Sequence, residues 1–210
     1  MNKIKINNLF LRLSKEFIRP QSELKYKNNF TFLVAVILSA QSTDISVNKA
    51  TKKLFNKINS PKDIVRLGET KLKTYIKTIG LYNSKAKNIL LMSKILINDY
   101  NSIVPKDFDE LIKLPGVGNK TASVYQNVIL KKPRIAVDTH VYRVSNRTGL
   151  VSEKTTDKTQ AKLEKIVPKK WRIFAHHLLI LHGRYICKSQ KPLCKKCSIS
   201  SICQFKGKLI

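Results

Sequence analysis

Two ionisable residues and four cysteines carry the chemistry this sequence could perform. Lys120 closes the run Leu114-Pro115-Gly116-Val117-Gly118-Asn119-Lys120, and Asp138 lies in Val137-Asp138-Thr139-His140-Val141. A lysine amine attacks carbon only when neutral, and in the first turn of a helix the dipole disfavours its ammonium form. A carboxylate poised beside it could assist proton transfers and stabilise developing positive charge. On residue evidence alone, Lys120 is equally a phosphate contact and Asp138 equally a structural helix cap.

Cys187, Cys194, Cys197 and Cys203 follow one another with six, two and five residues between them. So short a span cannot staple distant elements, and four soft thiolates suit a tetrahedral zinc or an iron-sulfur cluster. Spacing does not separate the two. Lys188, Lys191, Lys195, Lys196 and Lys206 surround the cysteines, so a loop pinned by metal would present positive charge to a phosphate backbone.

The elements that must hold these groups read as helices. Phe108, Leu111, Ile112 and Leu114 recur at helical spacing before the glycine run, and Ala122, Val124, Tyr125, Val128 and Ile129 resume it afterwards. Pro115 stops the first helix, while Gly116 and Gly118 permit backbone angles and close approaches that a side chain would block. Successive amides at such a hairpin form a concave anion site. Asp138 stands where it would cap the next helix.

Elsewhere, Leu9, Phe10, Leu13 and Phe17 mark a helix over 7–18, ended by Pro20. The apolar run 30–38 fits a buried strand or a buried helix by periodicity, and its helical neighbours favour the helix. Thr43 caps the next helix, and Ser60-Pro61-Lys62-Asp63 starts another that ends near Gly68. Further helices are expected over 69–79, closed by Gly80, and over 84–100, 156–166 and 171–185. In the last, Trp171, Phe174, Leu178, Leu181 and Tyr185 share one face, and His176, His177 and His182 read as packed or surface residues. No segment alternates over strand length. The fold class is all-α.

Forty-one lysines and arginines against 13 acidic residues leave a net charge of +28 over 210 residues, a field that favours a polyanion such as nucleic acid. A Lys-, Asn- and Ile-rich composition also follows from AT-rich coding DNA, so the sign of the charge carries more weight than its size. The longest apolar run is too short to span a bilayer, and the N-terminus lacks a signal-peptide core. A soluble, cytoplasmic monomer is expected.

Five ordered motifs resemble the endonuclease III family of DNA glycosylases and abasic-site lyases. They are Leu38-Ser39-Ala40-Gln41-Ser42-Thr43-Asp44, the segment Thr78-Ile79-Gly80-Leu81-Tyr82-Asn83-Ser84-Lys85-Ala86, the glycine run extended to Ala122, the Asp138 segment, and the cysteine tail. The resemblance implies a two-domain helix-hairpin-helix DNA glycosylase fold with a DNA-binding cleft between the domains. Residues 21–132 would form a six-helix domain containing the helix-hairpin-helix motif at 108–130, and residues 1–20 plus 133–210 an iron-sulfur cluster domain.

Functionally, it implies removal of oxidised pyrimidines from duplex DNA and cleavage 3′ to the abasic site, with Lys120 as nucleophile and Asp138 as the catalytic carboxylate. Cys187, Cys194, Cys197 and Cys203 would hold a [4Fe-4S] cluster in preference to zinc. Gln41, Ile79 and Leu81 would wedge into the gap left by a flipped nucleotide. Gly116, Gly118 and Lys191 would meet the backbone, and His140 would line the lesion pocket. Within the superfamily, the adenine glycosylase branch lacks the lysine and the guanine-oxidation branch generally lacks the cluster, so having both points to endonuclease III.

Overall fold

The computed structural model describes residues 1–18 and 20–208. Among them are ten α-helices and no strand: α1 (Lys3–Glu16), α2 (Asn29–Ser39), α3 (Asp44–Leu54), α4 (Pro61–Ile76), α5 (Tyr82–Asp99), α6 (Phe108–Lys113), α7 (Asn119–Val128), α8 (Thr139–Thr148), α9 (Thr156–Ile166) and α10 (Lys169–Tyr185). Short 3-10 turns at Cys194–Lys196 and Ser200–Ile202 shape the tail. None of the described helices is long and apolar enough to cross a membrane. The chain divides into a central unit, Glu23–Leu130, and a flanking unit that joins Met1–Ser22 to Lys131–Ile210. Arg19, Leu209 and Ile210 of the latter lie outside the described residues.

The central unit is built on α2. Every residue from Phe30 to Leu38 is buried, so this helix is apolar all round and needs neighbours on every side. α3, α5 and α7 supply them. Asn28 fixes its start through a capping box with Thr31, which settles the strand-or-helix ambiguity of the run by satisfying the first amides locally.

α4 opens on the Ser60 capping box with Pro61 in its first turn. Gly68, at φ +77° and ψ 162°, breaks the helical path midway, so the expected stop is present as a kink. The C-terminal half ends at Ile76 and not at Gly80. The Ile79 amide donates to Ile76 O at 2.9 Å in a turn, and Gly80 lies in the loop beyond.

In the flanking unit, Ile6, Leu9, Phe10 and Leu13 of α1 pack with Val141 and Val144 of α8, Leu163 of α9 and Leu178 and Leu179 of α10. Each such side chain contributes about 1.5–3 kcal/mol of burial, which binds α1 to helices far away in sequence. α1 starts earlier than its apolar stripe suggests because Asn2 caps it, accepting from the Lys5 amide at 2.9 Å. The buried face of α10 also differs from expectation. Phe174 and Tyr185 are 43% and 47% exposed, and Ala175, His176, His177, Leu178, Leu179, His182 and Gly183 face the core. The stripe is turned because small residues allow a close crossing and because three histidines, polar by type, are buried.

Candidate active site and cysteine loop

The glycine hairpin joins α6 to α7 in the central unit. Asp107 caps α6, accepting from the amides of Asp109 at 2.8 Å and Glu110 at 3.3 Å. The turn is tightened by the Leu114 amide donating to Leu111 O at 3.1 Å and the Val117 amide to Leu114 O at 3.0 Å. Leu114 and Val117 are buried, which seats the hairpin on the core.

The two glycines differ. Gly116 has φ +81°, and a Cβ there would lie 3.1 Å from Asn88 Cβ and 3.3 Å from Ile37 Cγ2. Gly118 has an extended φ of −95°, which any residue adopts, and a Cβ there would meet nothing within 4 Å. Packing and backbone both demand glycine at the first position, and neither demands it at the second. Gly118 is the N-cap of α7 and leaves that helix start without a side-chain cap. Lys120, exposed, follows in the first turn. Behind it, Ala122, Val124 and Tyr125 are buried where α7 packs on α2, and burial pushes the Tyr125 phenol up to about 12.

Gln41 and Leu81, also in the central unit, are exposed and left-handed, at φ 54° and 58°. For residues with a Cβ this conformation costs about 1–2 kcal/mol each. Ile79 does not join them. It is only 2% exposed and belongs to the core, so in this conformation it offers no surface to a duplex.

In the flanking unit Asp138 caps α8, its Oδ1 accepting from the amides of His140 at 2.9 Å and Val141 at 2.8 Å. Its Oδ2 lies 3.5 Å from His140 Nδ1, a buried nitrogen without a hydrogen-bond partner among the described residues. The cap therefore orients the carboxylate, and the structural and chemical readings of Asp138 are compatible. Behind His140 stands a residue that sequence reasoning missed. A Cβ on Gly183 of α10 would lie 3.0 Å from His140 Cβ and 3.1 Å from Val144 Cγ2, so this crossing of α8 and α10 requires glycine. A lone glycine inside an otherwise helical apolar pattern was the available signal.

Two more omissions lie on α8. Arg143 donates from Nε to Cys187 O at 3.0 Å and from its terminal nitrogen to Gly183 O at 2.7 Å. Arg147, one turn on, donates to Lys188 O at 2.7 Å and Ser189 O at 2.8 Å, and stacks 4.6 Å from the centre of the Phe205 ring. These guanidiniums shape the start of the cysteine loop. The four cysteines are half-buried and form no disulfide, and all line one solvent-open pocket together with His182, Ile186, Leu193 and Phe205.

Burial pushes the Cys197 thiol up to about 11 and raises that of Cys203. As thiols they carry no charge, and deprotonation would call for a bound cation to offset it. Cys197 Sγ lies 3.7 Å from His182 Nε2, and the opposite ring nitrogen lies 3.7 Å from Glu16 Oε2 of α1. His182 beside it holds the Glu16 carboxyl below its usual range, with Ser198 donating to it as well. Lys191 is exposed on this loop and left-handed at φ 48°.

An all-helical, strongly basic chain with a lysine at a glycine-capped hairpin and a loop whose four cysteines line one pocket fits the helix-hairpin-helix class of DNA repair proteins. The chain belongs to the HhH-GPD superfamily of base excision DNA repair proteins, whose family model matches residues 34–169. It is 56% identical to endonuclease III of Rickettsia conorii over 200 residues, 95% of each chain. Against endonuclease III of Escherichia coli K12 it is 48% identical over 209 residues, covering 100% of this chain and 99% of the other. An endonuclease III trapped as a covalent intermediate with DNA superposes with a TM-score of 0.92 at 43% identity, over 97% of this chain and 96% of that one.

Proposed function

We propose that this chain is a bifunctional DNA glycosylase and abasic-site lyase that removes oxidised pyrimidines from duplex DNA. The damaged nucleotide leaves the stack, because C1′ of its sugar is out of a side chain's reach while the base is paired. Lys120 Nζ attacks C1′ and the base departs with the bonding electron pair. The opened sugar is then held as a Schiff base, and β-elimination breaks the C3′–O bond to cut the strand 3′ to the lesion. Asp138, oriented by its capping bonds, assists the proton transfers and stabilises positive charge on the sugar. The observation that carries this reading is the exposed Lys120 at a helix start left open by Gly118, in a chain similar to a protein trapped covalently on DNA.

Gly116 and Gly118 bring hairpin amides to a phosphate, and His140 lines the pocket for the extruded base. Gln41 and Leu81 enter the stack from their left-handed turns, with Ile79 supporting them from the core. Cys187, Cys194, Cys197 and Cys203 hold a [4Fe-4S] cluster, as the likeness to endonuclease III implies, a reading supported by their lining one pocket together. That cluster would supply the iron–thiolate bonds that pin the loop, and Lys191 would then meet the DNA backbone. Supported by the absence of a spanning helix among the described residues and by bacterial relatives, we place the protein in the cytoplasm, on DNA.

Borohydride reduction of the protein with thymine-glycol duplex tests the proposal. A covalent complex is expected with the native chain, and its persistence in full yield with Lys120→Ala would overturn the assignment.

A further inference from the structure

Among the described residues Lys85 is the only lysine or arginine that is buried, at 5% exposure. Taking an ammonium out of water is costly unless its donors are met. Here three donors meet three acceptors: Leu38 O at 2.8 Å, Ala40 O at 2.6 Å and Ser42 Oγ at 3.2 Å. No carboxylate forms an ion pair with it among the described residues. The charge is met instead by carbonyls at the C-terminal end of α2, where the helix dipole is negative.

These acceptors bracket Gln41. The backbone amide of Lys85 meanwhile donates to Leu81 O at 3.0 Å. One residue is thus bonded to both left-handed turns. The turns also touch, since a Cβ on Gly80 would lie 3.5 Å from Gln41 O and 3.9 Å from Ser42 Oγ. Two strained, exposed residues persist side by side only where their surroundings over-determine them, and Lys85 is the group that does so.

We infer that Lys85 is a positioning residue for nucleotide extrusion: its ammonium fixes the Gln41 turn against the Leu81 turn so that the two side chains enter the duplex as one preformed wedge. This rests on the reading of Gln41 and Leu81 as the wedge. A core lysine with no such role would lower stability and every activity in proportion. A positioning residue lowers the steps that need a base pair opened more than those that do not.

The test compares Lys85→Met with the native, cluster-loaded protein. 2-Aminopurine is placed opposite a tetrahydrofuran abasic analogue in duplex DNA, and its fluorescence rises as it unstacks. Borohydride trapping is measured in parallel on abasic duplex and on the same abasic strand alone. Lys85→Met is expected to reduce the fluorescence rise and the duplex-to-single-strand trapping ratio about tenfold, the scale of a lost charge-assisted hydrogen bond. Lys85→Met combined with Gln41→Ala is expected to be no worse than Gln41→Ala alone, because both remove the same device.

An unchanged ratio, or additive losses in the double variant, overturns the inference. If Gln41→Ala and Leu81→Ala leave fluorescence and ratio unchanged, the wedge reading itself fails; if they lower both and Lys85→Met does not, only the role of Lys85 fails. Should Lys85→Met not fold, Ser42→Ala decides. It leaves the lysine in place and is expected to lower the ratio about threefold, as one neutral hydrogen bond would. No change there overturns the inference.

Discussion

The starts of α7 and α8 present opposite solutions to the same problem. Every α-helix begins with amides that have no partner inside the helix. At α8 the chain provides its own anion, and Asp138 accepts from two of those amides. At α7 the cap is Gly118, which has no side chain to offer, and the space its Cβ would fill is empty. A helix start that keeps its own carboxylate orients that carboxylate. A start stripped of one is left to receive an anion from outside, and the nucleophile proposed here stands beside it.

Lys120→Ala offers the largest effect by which to break this contrast. It is expected to abolish borohydride trapping, a loss on the order of a thousandfold or more, while leaving the melting temperature near that of the native chain. Next comes the capped start. Asn is as good an N-cap as Asp, so Asp138→Asn should keep stability within a few tenths of a kcal/mol while strand cleavage falls roughly a hundredfold; Asp138→Ala should lose about 1 kcal/mol as well. Equal losses of stability in both variants would mean that the cap is not made as described.

The hairpin glycines sharpen the contrast further. Gly116→Ala must place a Cβ at positive φ and within 3.3 Å of two side chains, and should cost about 1–3 kcal/mol in urea unfolding. Gly118→Ala should cost under about 1 kcal/mol and show itself in weaker duplex binding instead.

Acid separates the two units in a smaller way. Burial, followed by the neighbouring His176, pushes His177 of the flanking unit down to about 3. Its folded form stays neutral while the unfolded chain takes up a proton below about 6.5, so the unfolded state binds more protons and stability falls as pH drops from 6.5 towards 3. The slope from this residue is at most about 1.4 kcal/mol per pH unit. Urea midpoints measured from pH 7.5 to 5.5 should fall less steeply in His177→Gln.

Local chemistry was the legible part of the sequence. Thr43, Ser60 and Asp138 could be read as caps because a cap bonds to amides two or three residues away. The kink at Gly68 and the hairpin at Gly116 were legible for the same reason. The contrast between Gly116 and Gly118 was not, because it depends on Asn88 and Ile37, which approach one position and not the other. Arg143 and Arg147 were overlooked because their acceptors lie some forty residues downstream, and nothing in the local pattern of α8 distinguishes a clamp from a solvated cation. The face of α10 was misread because periodicity sorts residues by type, and buried histidines count as polar. The motif resemblance covered sites that periodicity could not reach, yet it grouped Ile79 with Gln41 and Leu81 and could not show that Ile79, unlike them, is buried.

The packing of α1 also orders events during synthesis. The central unit is one continuous stretch of chain and can fold as soon as it has been made. α1 is translated before it, but the helix that buries Leu9, Phe10 and Leu13 begins only at Lys169. At bacterial elongation rates that delay is roughly 10–30 s, during which an apolar helix must stay soluble without its partner. The five lysines and arginines from Lys3 to Arg19 keep it so, which gives part of the chain's excess of positive charge a task before any DNA is met.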